Sequence, residues 1–290
     1  MTDHHHHSTK IDWDAMGPLL ELEGEVQIPL LEQATGWLRG RSGGVRRVLD
    51  AGSGPGVMSC LLAREFPAAE VVAVDSGREL LDRAERRAAR QGLAERVRTH
   101  LADLPGGLDP VGPVDLVWSS KAVHHLGDQV AALAALARCL RPGGLLAVSE
   151  GGLPRRWLPR DIGIGRPGLQ ERLDALNADR FTEMRAELPG SKSEVEDWPA
   201  LLAAAGLEPA GTRTFLLDLP APAAPGVREF VAADLARLRE KLADRIDADD
   251  RAALGRLADP DDPEGIHRRP DVFLLSAQTV HTARRPGPDS

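Results

Sequence analysis

Three glycines at alternate positions, Gly52, Gly54 and Gly56, follow an acidic residue, Asp50, in the segment VLDAGSGPGVMSCLLA. Glycine lacks a Cβ atom, so it permits positive φ angles and lets a ligand approach the backbone closely. An apolar run precedes the glycines and a helical pattern follows them, which would present backbone N–H groups at a helix N-terminus. The spacing is one residue shorter than the dinucleotide-binding fingerprint G-x-G-x-x-G. The motif therefore predicts a binding turn for a different ligand.

Two histidines and a glutamate could carry out proton transfer. His124 and His125 follow the apolar run VDLVWSS, and Glu150 ends the run LLAVSE. Histidine is a suitable base near neutral pH, and carboxylates placed in clefts usually have a partner. All three are candidate catalytic residues. The alternatives are that one histidine only packs or caps, and that Glu150 is structural.

Another carboxylate, Asp75, ends the apolar run EVVAVD, nineteen residues beyond Gly56. A carboxylate at the end of the second strand can accept hydrogen bonds from both hydroxyls of a ribose. The alternative is that Asp75 caps the helix that follows, a role that Ser76 could also fill.

The elements that position these residues alternate between short apolar runs and longer helical patterns from residue 45 to 150. This alternation predicts an α/β fold with a mostly parallel sheet covered on both faces. Ligands of such open sheets lie at the carboxyl ends of the strands, where every acid singled out above falls. Two late strands, TRTFLLDL and DVFLLSAQTVHTA, are expected to form a hairpin interrupted by a helical excursion.

The segments VLDAGSGPG, VVAVD, LADL, VDLVWSSKAVHHL and LRPGGLLAVSE together resemble the class I S-adenosylmethionine-dependent methyltransferases, in the order of that family. The resemblance covers about residues 45–150 and implies a Rossmann-like, seven-stranded mixed sheet with one antiparallel strand, flanked by helices and carrying a helical cap. The implied organisation begins with an N-terminal cap at 1–40, a cofactor-binding core at 41–152 and a cap insertion at 153–192. Residues 193–283 would complete the sheet, with a helical excursion at 226–257, and 284–290 would be a short tail.

The resemblance also implies the cofactor, S-adenosyl-L-methionine, and residue roles. Asp50 and the three glycines would hold the methionine moiety, and Asp75 with Ser76 the ribose. Asp103 and the Leu104 backbone would meet the adenine, and the Ser119 carbonyl would meet the amino group of the cofactor.

Aromatic and sulfur-containing side chains near the expected caps are candidate substrate contacts. They are Trp13, Met16, Trp118 and Trp157. Rings there could stack a flat substrate or cover the sulfonium by a cation–π contact, although a core role is equally open for Trp118.

Composition restricts the partners. The net charge of −8 argues against a nucleic-acid binder, and the two cysteines are too few for a disulfide framework or a cysteine zinc site. We found no signal peptide and no run of transmembrane length, so we expect a cytoplasmic protein without a membrane partner. The run His4–His7 is interpreted as a tail or an expression tag, and no metal is expected. A homodimer through the helical stretch 226–257 is left open.

These observations predict transfer of a methyl group to a small aromatic or heterocyclic natural product, for example an indole-like one, at carbon, nitrogen or oxygen. Bacterial secondary metabolism is the expected setting. The alternatives are an RNA or tRNA methyltransferase and a regulator that binds the cofactor without transferring its methyl group.

Overall fold

The structure is a computed structural model that describes residues 13–287, with side chains from Met16 onward. Its centre is a seven-stranded sheet with the strand order β3-β2-β1-β4-β5-β7-β6. The strands are β1 (Arg47–Ala51), β2 (Glu70–Asp75), β3 (Val97–Leu101), β4 (Val114–Ser120), β5 (Leu140–Arg156), β6 (Glu208–Leu219) and β7 (Leu274–Arg284).

Helices cover both faces of this sheet. They are α1 (Trp13–Val26), α2 (Ile28–Arg39), α3 (Val57–Glu65), α4 (Arg78–Arg90), α5 (Gln129–Cys139), α6 (Leu169–Glu187), α7 (Trp198–Ala204), α8 (Pro225–Lys241) and α9 (Ala248–Ala258). The apolar cluster on one face includes residues of α2, α3 and α8. The cluster on the other face includes residues of α5 and α7. The inner strands are buried on both sides, which is why their sequences are continuously apolar.

Pairing within the sheet matches the fold expected from the sequence. Strands β1 to β5 pair in parallel, and β7 runs antiparallel between β5 and β6. The prediction of a mixed seven-stranded sheet with one antiparallel strand is therefore confirmed. The carboxyl ends of β3, β2, β1 and β4 lie side by side in that order.

Strand β5 extends beyond its predicted end at Glu150. It pairs with β4 up to Ser149 and with β7 from Leu145 to Arg156, with register shifts in the pairing with β7 after Ser149. Gly151 and Gly152 lie at one shift with φ values of 73° and 113°, and a Cβ on Gly152 would lie 2.1 Å from the carbonyl oxygen of Ala277. These glycines let the strand bend while it keeps its partner.

Helix α1 packs against the start of α3 and against the middle and last turn of α4. Glu21 and Glu25 form ion pairs with Arg83 and Arg87 of α4, at 2.9 and 2.8 Å. Gly24 packs so closely on α3 that a Cβ there would lie 2.7 Å from Val57. The region predicted as one helical excursion, 226–257, consists of two helices, α8 and α9.

Candidate cofactor and methyl-transfer site

The glycine turn between β1 and α3 is held by the end of β2. Gly52, Gly54 and Gly56 have φ values of 76°, 53° and 77°, which favour glycine. The backbone N–H of Gly54 donates to Asp75 Oδ2 at 2.9 Å, and that of Gly77 donates to Oδ1 at 2.9 Å. Asp75 therefore fixes the turn on one side and the start of α4 on the other.

A cavity of about 630 Å³ opens over this turn. Its floor is formed by the carboxyl ends of the strands, and its cover by side chains of α1, α2 and the end of α6. The lining residues used below are Leu20, Glu23, Gln27, Asp50, Gly52, Ser53, Gly54, Asp75, Ser76, Asp103, Leu104, Trp118, Lys121, His125, Leu126, Met184 and Leu188. The volume is within the range of small-molecule sites.

Asp50 is almost completely buried below the turn, although it also lines the cavity. The hydroxyl of Ser59 on α3 donates to Asp50 Oδ2 at 2.5 Å. Burial raises the pKa of Asp50 to about 7, the Ser59 hydrogen bond opposes this rise, and the nearby charge of Asp75 adds to it. Burial also raises the pKa of Asp75, against the opposing hydrogen bonds from Gly77 and Gly54.

The glycine turn has a polar atom and open space that suit a polar ligand such as adenosine. The side-chain hydroxyl of Ser53, buried in the turn, has no hydrogen-bond partner among residues 13–287 and is available to a ligand. A Cβ on Gly52 would lie 2.6 Å from the Cβ of Ala122, whereas Gly54 has open space where its side chain would be. The turn is thus closely packed at Gly52 and open towards the cavity at Gly54.

The structure places most of the predicted cofactor residues around the one cavity. Two are outside its lining, Gly56 and Ser119. Gly56 begins α3, and a Cβ there would lie 2.6 Å from the Cβ of Ala84 on α4, so its role here is close helix packing. The buried Ser119 hydroxyl donates to the carbonyl of Ala51 at 3.0 Å, and its neighbour Ser120 lines the cavity instead.

Of the predicted substrate residues whose side chains the structure describes, Trp118 alone lines the cavity. Trp157 is buried in the apolar core, because β5 continues past Glu150 and carries this ring under the cap. Met16 is half-buried outside the lining, and the Trp13 side chain and His4–His7 lie outside the described residues. The apolar walls are instead Leu20, Leu126, Met184 and Leu188, side chains that the sequence pattern did not single out.

Glu150, His124 and His125 form a hydrogen-bonded chain that ends at the cavity. Glu150 Oε2 lies 2.7 Å from His124 Nδ1, and His124 Nε2 lies 3.1 Å from His125 Nε2. Glu150 is buried and also accepts the backbone N–H of Val123 at 3.1 Å through Oε1. Of the three, His125 alone lines the cavity.

The hydrogen bonds among these three side chains allow one consistent assignment of protons when both imidazoles are neutral. The Glu150 carboxylate accepts, so His124 Nδ1 carries a proton and His124 Nε2 accepts from His125 Nε2. His125 Nδ1 is then the unprotonated nitrogen. Burial and the adjacent His124 lower the pKa of His125 to about 4, although Glu150 opposes this, so the His125 ring is neutral near pH 7.

Arg185 of α6 holds the turn that carries His124 and His125, a role that the sequence did not reveal. Its Nη1 atom donates to the backbone carbonyls of His124 and Leu126, both at 2.7 Å. The ring of Phe181, one helical turn earlier, packs edge-on against His124 with centroids 5.4 Å apart. No short-range signal could connect residues about 60 positions apart.

Comparison with known proteins identifies the domain family. Residues 48–144 match the methyltransferase domain family. The chain carries a class I S-adenosylmethionine-dependent methyltransferase domain. Trans-aconitate 2-methyltransferase from Azoarcus sp. (strain BH72) is 41% identical over 110 residues, which are 38% of this chain and 40% of that protein. The ubiquinone biosynthesis O-methyltransferase of Aeromonas salmonicida is 32% identical over 115 residues, 39% of this chain and 47% of that protein.

The chain spans under half the length of each of these two relatives. A candidate methyltransferase from Bacillus halodurans shares the fold, with a TM-score of 0.53 and 17% identity over 88% of this chain and 98% of that one. Within residues 13–287, no helix is long and apolar enough to cross a membrane, and no three His, Cys, Asp or Glu residues are grouped to hold a metal ion.

Proposed function

We propose that this protein transfers the methyl group of S-adenosyl-L-methionine to a hydroxyl group of a small aromatic or heterocyclic molecule. The observation that carries this proposal is the chain from Glu150 through His124 to His125, which ends in the cavity of the glycine turn. An acceptor that is already nucleophilic needs mainly orientation, whereas a hydroxyl benefits from a base beside it.

The bound cofactor supplies an electrophilic methyl group on a positively charged sulfur. Asp75 and Ser76 would bind its ribose, Asp103 and Leu104 its adenine, and the backbone at Gly52 and Gly54 its thioether end. Asp50 would support the turn from below, because Ser59 anchors it to α3.

His125 would accept the hydroxyl proton through Nδ1 and pass the Nε2 proton to His124, whose Nδ1 proton moves towards Glu150. A base with a pKa of about 4 is weak for an alcohol or a phenol in its ground state. It is sufficient here, because the acceptor oxygen becomes strongly acidic as its bond to the methyl carbon forms. Proton transfer would therefore accompany methyl transfer.

A small acceptor is favoured because the cap restricts access. The same 630 Å³ must hold the cofactor and the acceptor, and Leu20, Met184 and Leu188 cover it from α1 and from the end of α6. These apolar side chains, with Trp118 and Leu126, suit a flat apolar molecule. Relatives named for methylation of trans-aconitate and in ubiquinone biosynthesis also act on small molecules. We propose that the enzyme acts in the cytoplasm, in secondary metabolism.

The test is a panel of phenols, indoles and carboxylic acids incubated with the protein and S-adenosylmethionine. We expect mass spectrometry to detect a methylated product and S-adenosylhomocysteine with a phenol or another hydroxyl acceptor. His125→Ala and Glu150→Gln should lower turnover by about 10²- to 10⁴-fold while leaving the affinity for S-adenosylhomocysteine unchanged.

His267→Ala is the matched control, because His267 is exposed and is not part of the cavity lining. Equal losses of turnover and of cofactor affinity in His125→Ala would show that the histidine is not a base. Cofactor binding with no turnover on any acceptor would favour a regulator that only binds the cofactor.

A further inference from the structure

An ion pair between the cap and the sheet lies inside the cavity. Lys121, directly after β4, donates through Nζ to Glu23 Oε1 of α1 at 2.7 Å, and both residues line the cavity. Lys121 has φ of 51°, the one positive value among the non-glycine residues that the structure describes. A lysine held in this conformation is kept there by its surroundings.

A closed ring of hydrogen bonds fixes the pair. The Lys121 backbone N–H donates to the carbonyl of Ser149 at 3.1 Å, and the Ser149 hydroxyl donates to Gln278 Oε1 at 3.2 Å. The Gln278 amide then donates to Gln27 Oε1, and Gln27 Nε2 donates to Glu23 Oε1 at 3.0 Å. The ring therefore ties α1 to β5 and β7 through side chains whose positions are set.

The hydrogen bonds of the pair are unevenly distributed. Lys121 and Gln27 both donate to Glu23 Oε1, and Arg155 Nη1 lies 3.4 Å from the same atom. Among residues 13–287, no donor hydrogen-bonds Glu23 Oε2, and Lys121 Nζ makes one hydrogen bond out of the three an ammonium can donate. Burial raises the pKa of Glu23, but Lys121 and Arg155 outweigh it and bring the value to about 2, so Glu23 is a carboxylate at neutral pH.

The order of the strands indicates what this pair faces. Asp103 follows β3, Asp75 ends β2, the glycine turn follows β1 and Lys121 follows β4, and these strands are neighbours in that order. Adjacent strands lie about 4.8 Å apart, so adenine, ribose and sulfur take successive places along the row. The amino-acid end of the cofactor then falls at the end of β4, beside Lys121.

We infer that Glu23 and Lys121 bind the amino-acid end of S-adenosylmethionine, with Glu23 Oε2 accepting from its ammonium group and Lys121 Nζ donating to its carboxylate. The inference rests on the proposed function, because it presupposes this cofactor. The free acceptor atom and the free donors of the pair match the opposite charges of an α-amino acid. Because Glu23 belongs to α1, the cofactor itself then holds the cap over the site. Arg155 and Gln27 act as positioning residues for Glu23.

Calorimetric titrations with two ligands test this inference. S-adenosylhomocysteine has the amino-acid end, whereas 5′-methylthioadenosine has the same nucleoside and sulfur without it. We expect Lys121→Met and Glu23→Gln each to weaken S-adenosylhomocysteine binding by about 10- to 100-fold and to change 5′-methylthioadenosine binding by less than about twofold. Lys192→Met is the matched control, because Lys192 forms its ion pair with Asp128 at the surface.

Equal losses for the two ligands, or no loss for either, would overturn the inference and leave the ion pair as a tether for α1. Glu23→Gln keeps the side-chain shape, so it serves as the test if Lys121→Met fails to fold. A wild-type protein that binds neither ligand would refute the proposed function as well. Equal binding of both ligands by the wild type would refute this inference alone.

Discussion

Replacement of Asp75 by alanine is the strongest test of the cofactor assignment. The Asp75 carboxylate lines the cavity and accepts backbone N–H groups from both Gly54 and Gly77. A ribose would add two hydroxyl donors to the same carboxylate. Hydrogen bonds to a charged group contribute about 1.5–3 kcal/mol each, so the loss of both is about 3–6 kcal/mol, or about 10²- to 10⁴-fold in the dissociation constant.

Calorimetry with S-adenosylhomocysteine measures this loss, and Glu79→Ala is the control, because Glu79 is an exposed acid on the first turn of α4. Asp75→Ala also removes one hydrogen bond that holds the turn and one that holds the start of α4, so thermal unfolding must show that the variant is folded. Adenosine and 2′,3′-dideoxyadenosine separate the two effects. If the variant loses affinity equally for both nucleosides, Asp75 acts through the turn and its assignment to the ribose is wrong.

Two further predictions concern stability. Burial raises the pKa of Asp50 from 3.8 to about 7, so between these values the folded state keeps a proton that the unfolded state releases, and stability falls as pH rises. Asp50→Asn, whose side chain can still accept from Ser59, should remove this pH-dependent loss of unfolding free energy. The loss is up to about 4 kcal/mol between pH 4 and pH 8 and is measured by urea unfolding. An equal change in unfolding free energy at both pH values would contradict the prediction. Gly92→Ala should cost about 1–2 kcal/mol of left-handed backbone strain, because its Cβ would enter open space. Gly56→Ala should destabilise the protein by more than this, because its Cβ would also meet Ala84. Equal losses would show that the contact with Ala84 relaxes.

The sheet and the glycine turn could be predicted because their signals are local. A strand that is buried on both faces must be apolar along its length, and the turn between β1 and α3 needs glycine wherever φ is positive. Asp75 could also be placed, since it directly ends a strand. The end of β5 was placed too early at Glu150, where the apolar run LLAVSE ends, whereas pairing with the distant β7 carries the strand on to Arg156.

The side chains that complete the site could not be predicted in this way. The aromatic side chain of Trp157 made it a candidate substrate contact, but its burial depends on how β5 and α6 pack. Glu23 had no distinguishing feature among the acids of α1, and its importance comes from Lys121, 98 residues away in the chain. Arg185 is equally ordinary in sequence.

The sequence by itself determined the order of strands and helices along the chain, the conformation of the glycine turn and which carboxylates lie at the strand ends, because each depends on neighbouring residues. Only the tertiary structure decided which side chains close the cavity and how their protons and charges connect. The chain from Glu150 to His125 and the pair of Glu23 with Lys121 both join separate elements. Their hydrogen bonds depend on distances of about 3 Å that no pattern along the chain encodes.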